Sequence, residues 1–249
     1  MTVTIDAKDL YYRDLNQQIR DLIKKGKKKF VLKNVNGQRY IGTGIDDPDV
    51  SIKIHGVPGN DLGTFMDGAK LEIMENAQDG IANTMSSGKI TIHGHAGDVL
   101  GYGMRGGKLF IKGNIGYRVG IHMKAYEEHV PIVVSGGRAG DFFGEYMAGG
   151  VLLLLDIADE NKHNLPITGD YVGTGMHGGV IYIRGEVEDH KLGKEVGKRP
   201  LDDEDKKRIT TLSEEFCKDF GYDSSKISVD DFIKLVPVML RPYGNLYAY

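Results

Sequence analysis

Cysteine is nearly missing from this 249-residue chain, which holds one thiol, at Cys217. A single thiol excludes an intramolecular disulfide, a cysteine-ligated iron–sulfur cluster and a Cys-rich zinc site, and it suits a reducing compartment. Tryptophan is absent, and the longest aliphatic run, Val151 to Leu155, falls far short of a membrane span. The opening MTVTIDAKDLYYRD has no apolar signal core, so a cytoplasmic location is expected. An excess of positive charge is missing too: 32 Lys and Arg face 35 Asp and Glu, a net charge of −3. No basic field exists to draw in nucleic acid or an anionic membrane. Apolar residues, at 40 %, with 13 Tyr and 8 Phe, are ample for a core.

Glycine is what the chain has in excess. Of 35 glycines, 27 fall between Gly56 and Gly185, with four before and four after. This divides the chain into an N-terminal segment 1–49, a central segment 50–185 and a tail 186–249. Glycine at fixed intervals means turns at fixed intervals. With methionine as the marker, Met66, Met85, Met104, Met123, Met147 and Met176 are separated by 19, 19, 19, 24 and 29 residues. Three residues before the markers stand Gly63, Ala82, Gly101, Gly120, Gly144 and Gly173, and the five glycines are expected to form corners.

A short alternating apolar stretch follows each marker, and one more precedes the first. Ile52 with Ile54, Leu71 with Ile73, Ile90 with Ile92, Leu109 with Ile111, the Ile132–Val134 segment, Leu152 with Leu154 and Ile181 with Ile183 read as seven strands with inward residues two apart. Nineteen residues are too few for a βαβ unit, which takes roughly 30 or more. The fold class expected is mainly β: a single-stranded right-handed parallel β-helix of about seven coils. A left-handed hexapeptide helix is disfavoured because the glycine offsets are not multiples of six.

The first segment reads as a helix with Leu15, Ile19, Leu22 and Ile23 on one face, then a hairpin about Asn36-Gly37 between Phe30–Leu32 and Tyr40-Ile41. Residues 186–200 read as a charged connector. A helix with Ile209, Leu212, Phe216 and Phe220 on one face, ended by Gly221, should follow, and a second helix should start at the capping pattern Ser228-x-x-Asp231. Both flanks are expected to cover the open ends of the rod.

Chemical motifs fare poorly against structural readings. Gly101-Tyr-Gly103-Met-Arg-Gly106 and Gly173-Thr-Gly175-Met-His-Gly178 match GxGxxG, but each runs into a strand and not into the helix that a dinucleotide pyrophosphate requires. His55 and His93 stand two coils apart in one column, about 9.6 Å, too far to share a zinc. Nine residues before the markers, Asn76, His95 and Asn114 should stack as a polar ladder that satisfies turn amides. Cys217 reads as core, and no GxSxG elbow exists. The segment His122–His129 breaks the repeat and should bulge as a charged loop, whose Lys124, Glu127 and Glu128 are candidates for contacting a partner.

These residues carry a resemblance. The chain is similar to the C-terminal GXGXG domain of the glutamate synthase large subunit, in its stand-alone prokaryotic form. The similarity rests on Asn36-Gly-Gln-Arg-Tyr-Ile-Gly42, Gly56-Val-Pro-Gly-Asn-Asp-Leu-Gly63, Gly101-Tyr-Gly-Met-Arg-Gly-Gly107, Gly116-Tyr-Arg-Val-Gly-Ile-His-Met-Lys124, Gly144-Glu-Tyr-Met-Ala-Gly-Gly150 and Gly173-Thr-Gly-Met-His-Gly-Gly179. It spans roughly residues 3 to 187, and the tail with its Leu-Arg-Pro-Tyr-Gly-Asn-Leu-Tyr ending resembles extensions of the stand-alone proteins. The resemblance implies a structural subunit that braces glutaminase and FMN-binding synthase subunits, in an enzyme making glutamate from 2-oxoglutarate and glutamine-derived ammonia. FMN and the iron–sulfur cluster would sit on those partners, with no cofactor, metal or catalytic residue on this chain: Thr2 stands where the family's amidotransferase has its N-terminal cysteine. The alternatives are the β-helical scaffold subunit of a formylmethanofuran dehydrogenase-like complex and an autonomous small-molecule enzyme on a β-helix. Self-association is left open.

Overall fold

The computed structural model describes residues 1–158 and 166–238. Its backbone is one eleven-stranded sheet wound as a parallel β-solenoid. β1 (Thr2–Asp6), β2 (Lys29–Asn36), β3 (Ser51–Val57), β4 (Asp67–Ile73), β5 (Ser87–Ile92), β6 (Lys108–Ile111), β7 (Ile132–Ser135), β8 (Ala148–Leu154) and β9 (Gly178–Arg184) follow in spatial order, each parallel to the next. The seven strands legible in the sequence are β3 to β9, and they bound six turns. The Leu-Arg-Pro-Tyr-Gly-Asn-Leu-Tyr ending lies outside the described residues.

Register fixes the two faces. Ile52, Leu71, Ile90, Leu109, Val133, Leu152 and Ile181 are directly paired along the stack, as are Ile54, Ile73, Ile92, Ile111, Ser135, Leu154 and Ile183, and both rows are buried inside the coil. The six marker methionines join the same core. β7 shows how little room the inner row leaves: its inward pair is Val133 and Ser135, and the buried Ser135 hydroxyl donates to the Gly113 carbonyl at 2.9 Å.

α1 (Tyr12–Lys24) buries Leu15 and Ile19 against the first turn, and Asn16 and Arg20 donate to the Arg39 and Thr43 carbonyls. It covers the N-terminal end of the core. The hairpin expected at Asn36-Gly37 is not formed. Gly37 donates its N–H to Val57 of the next coil at 2.8 Å, so β2 pairs in parallel with β1 and β3 and Tyr40-Ile41 lie in a corner. At the other end β10 (Val196–Arg199) and β11 (Phe232–Pro237) close the sheet, with β11 antiparallel to both β9 and β10. The second C-terminal helix is replaced by β11: Ser228 caps only a single 3₁₀ turn, Val229–Asp231.

α2 (Asp203–Phe220) carries the capping box at Asp202 and Asp205 and ends on the left-handed Gly221. It does not cap the rod. It lies along the flank, where Phe216 and Ile209 pack on Phe110, Val134, Leu153 and Tyr182, the outward row of β6 to β9. Its continuous apolar run is there; earlier in the stack the row reads Val31, Lys53, Glu72 and Thr91. The cover therefore sits where the hydrophobic effect demands it.

Candidate functional site

The corners of the coil aim its exposed side chains. Gly63, Gly101, Gly120, Gly144 and Gly173 have φ of +71°, +65°, +78°, +75° and +68°, with Ala82 at +62° in the same column. A side chain at Gly173 would lie 2.3 Å from Val196 and at Gly144 2.7 Å from Ile181, so both the conformation and the space are set for hydrogen.

One corner column carries side-chain ladders. Asn76 Oδ1 accepts from the His95 N–H at 2.8 Å, His95 Nδ1 from the Asn114 N–H at 2.9 Å, and Asn114 Oδ1 from the Arg138 N–H at 2.9 Å. The bond to Nδ1 places the His95 ring proton on Nε2. A second ladder escaped sequence reasoning: Asp79 accepts from the Asp98 N–H, Asp98 from the Tyr117 N–H and Asp141 from the Asp170 N–H, at 2.8 to 2.9 Å. Its signal was available, since each of these aspartates stands six residues before a marker methionine. Their carboxylates hold backbone and do not converge on a common point.

Two further columns present bulky residues from left-handed corners. Phe65, His122 and Tyr146 have φ of 55°, 56° and 51°, and Arg118, Phe142 and Tyr171 have 55°, 61° and 62°. The rings stack: His122 on Tyr146 with centroids 5.3 Å apart, Phe142 on Tyr171 at 4.9 Å, and the Arg118 guanidinium 4.5 Å over Phe142. Phe65 and Tyr171 stay 61 % and 55 % exposed. Each left-handed non-glycine residue costs of order 1–3 kcal/mol, strain that elsewhere concentrates at functional positions.

The irregular segment folds as a tight hairpin, with Tyr126 and His129 exchanging backbone hydrogen bonds at 3.0 and 2.9 Å. Glu127 and Glu128 at its tip are exposed, Tyr126 is exposed beside them, and Lys124 is half-buried at its base. Ala125 and Val130 border a groove of about 470 Å³ whose other walls are Gly149-Gly150, Val180 and the first turns of α2. On the α2 side Tyr182 Oη donates to Asp205 at 2.5 Å, Arg208 donates to Tyr182 Oη at 3.1 Å, and Lys234 pairs with Asp205 and Asp202. Burial and the Asp205 bond push the Tyr182 phenol up. Burial alone would raise Asp205, but Lys234 and Tyr182 hold it below the usual carboxylate range. The cluster is a neutral phenol and an ionised carboxylate locked to each other, a fastening for α2.

The remaining candidates are scattered. His55 is exposed two strands from His93, which lies 3.2 Å from Glu72 and edge-on to Phe220. Among the described residues no three His, Cys, Asp or Glu side chains gather to hold a metal. Cys217 is buried in α2, and burial pushes its thiol up, away from the thiolate a nucleophile needs. Among the described residues no helix is long and apolar enough to cross a membrane.

The sequence matches the GXGXG motif family over residues 13–241. It is 50 % identical over 251 residues to an uncharacterized protein of Methanocaldococcus jannaschii, covering 99 % of this chain and 96 % of that one. Among solved structures it is similar to a chain in the crystal structure of the formyltransferase/hydrolase complex from Methylorubrum extorquens in complex with methylofuran. That match covers 90 % of both chains, at a TM-score of 0.58 and 19 % identity.

Proposed function

The chain belongs to the GXGXG motif family, and from that premise we propose that it is a non-catalytic subunit of a glutamate synthase-type oxidoreductase, bracing glutaminase and FMN-binding synthase subunits. FMN and the iron–sulfur cluster are then carried by those partners, and the solenoid, wound right-handed, supplies a rigid face in the cytoplasm. The observation that carries the reading is the set of exposed aromatic rings, Phe65, Tyr146 and Tyr171 among them, held out from strained corners. Aromatic side chains are what interface centres are enriched in, and a rigid corner removes much of the entropy lost on binding. The charged hairpin beside them supplies orientation, through Lys124, Glu127 and Glu128.

Charge reversal at Lys124, Glu127 and Glu128 together tests the reading. Glu127 and Glu128 are exposed loop charges, which contribute little to stability, and Lys124 is half-buried at the edge of the loop, so the fold, checked by thermal melting, should persist while co-purification with the glutaminase or the FMN-binding subunit weakens. Undiminished capture of both by the folded variant would remove the hairpin from the interface. One observation favours the second reading, a scaffold in a formylmethanofuran dehydrogenase-like complex: the solenoid shares its fold over 90 % of its length with a chain of the formyltransferase/hydrolase complex. The HMKAY and GEYMAGG segments favour the glutamate synthase assignment.

A further inference from the structure

The outer face of the sheet holds a lysine ladder that α2 only half covers. Lys29, Ser51, Lys70, Lys89 and Lys108 are paired strand to strand across β2 to β6, at steps of about 4.8 Å. Like charges so stacked repel one another unless countered. At the C-terminal end of the ladder they are countered: Glu215 bridges Lys89 at 2.8 Å and Lys108 at 2.5 Å, and Asp219 takes Lys89 at 2.5 Å. Lys29 and Lys70 are exposed and have no acidic partner among the described residues, while Lys53 in the neighbouring row meets Glu72 at 3.1 Å.

The direction of α2 makes the uncovered half specific. Asp205 contacts Tyr182 on β9, Phe216 contacts Phe110 on β6, and Phe220 contacts His93 next to β5. Fifteen residues of helix, about 22 Å, thus follow four strand steps, about 19 Å, so α2 runs along the rod axis. Its carboxylates four residues apart, Glu215 and Asp219, lie about 6 Å apart along the helix, close enough to one ladder step that both reach Lys89. At Gly221 the chain turns away. Beyond the end of α2, a groove of about 450 Å³ continues over β5 to β1, floored by Val31 and Thr91, with Lys29 and Lys70 along it, Lys53 paired to Glu72, and Asp219 at its mouth. The strip from β5 to β1 is as long as the one that α2 fills.

We propose that this uncovered strip docks an acidic amphipathic helix of a partner protein, laid end to end with α2 and held by Lys29 and Lys70 as α2 is held by Lys89 and Lys108. The proposal rests on the reading that the chain works within an assembly, but not on which assembly. Lys29 and Lys70 are two strand steps apart, about 9.6 Å, so the occupant would place Asp or Glu about seven residues apart toward the ladder, with a small apolar residue over Val31.

The test uses the full chain and a fluorescent peptide of the α2 sequence, residues 203–220, whose carboxylates meet Lys89 and Lys108 on the covered half of the ladder. Anisotropy should report salt-sensitive binding that weakens about ten-fold in the Lys29→Glu, Lys70→Glu double variant and is lost when the peptide carries Glu215→Lys and Asp219→Lys. Thermal melting checks that the variant is folded. Binding indifferent to the two lysines, or an equal response to a scrambled peptide of the same charge, would overturn the proposal. So would a dimer of the free chain that the double variant abolishes, because a second copy would then own the strip. A failed reconstitution with glutaminase and synthase subunits would leave the peptide result standing.

Discussion

Tyr182 on β9 donates a 2.5 Å hydrogen bond to Asp205 in the first turn of α2, both groups buried, and this bond fastens the flanking helix to the last turn of the solenoid. Replacing Tyr182 with Phe leaves Asp205 and Arg208 short of a partner. A loss of about 1–3 kcal/mol is expected, read as a lower urea midpoint. An unchanged midpoint would mean that α2 is held by its apolar face alone.

That apolar face centres on Phe216, whose ring lies 5.8 Å from Phe110 and 4.5 Å from Phe220. Phe216→Ala should cost about 3–5 kcal/mol. Phe65→Ala, at a ring 61 % exposed in a left-handed corner, should leave thermal stability nearly unchanged. Equal losses in the two variants would contradict the division between buried cover and displayed corner.

Backbone strain and overlap can be separated by two glycines. Gly26 and Gly173 both have positive φ, +79° and +68°, but a side chain at Gly26 meets open space whereas at Gly173 it meets Val196. Valine at either position carries the left-handed penalty, about 1–3 kcal/mol, and only Gly173→Val adds the clash. Its melting temperature should fall further, and the reverse order would show that the corner columns are not tightly packed.

The α2 ion pairs make stability depend on pH. Burial would raise the Glu215 carboxyl, but Lys108 and Lys89 pull it below its ordinary value of 4.5. Burial would lower the Lys89 ammonium, yet Asp219 and Glu215 hold it above its ordinary 10.5. A depressed carboxylate stabilises above its unfolded pKa and stops doing so as pH falls through the folded value. A raised ammonium stabilises below its unfolded pKa and stops as pH rises through the folded one. The contribution is thus complete between the two ordinary values. Glu215→Gln should lower the urea midpoint at neutral pH by an amount that shrinks in acid below 4.5; a difference that grows in acid would contradict the assignment.

Most of the solenoid could be read from the sequence because its signal is periodic. Nineteen-residue spacing of Met85, Met104 and Met123 reports a coil, and glycine three residues earlier reports a corner. Asn76, His95 and Asn114 could be placed in one column on the same arithmetic. What was not legible depends on partners distant in the chain. Asn36-Gly37 has hairpin chemistry, yet β1, unsuspected, offers β2 a parallel neighbour and β3 another. The capping pattern at Ser228 competes with a strand that β9 and β10 both need. The outward Phe110, Val134 and Leu153 looked like part of the alternating strands, and only their register shows one apolar stripe waiting for α2. The groove beside the Glu127–Glu128 hairpin is likewise assembled from segments that no local pattern joins.

Co-expression with the glutaminase and FMN-binding synthase polypeptides of the same organism, followed by size-exclusion chromatography with flavin absorbance and glutamate formation recorded on each fraction, tests the central claim most directly. The scaffold reading expects one co-eluting complex that makes glutamate, with flavin on the synthase polypeptide and neither flavin nor activity on the isolated chain. Elution of this chain alone while the other two assemble and form glutamate without it, or a stoichiometric flavin spectrum on the isolated chain, would contradict it.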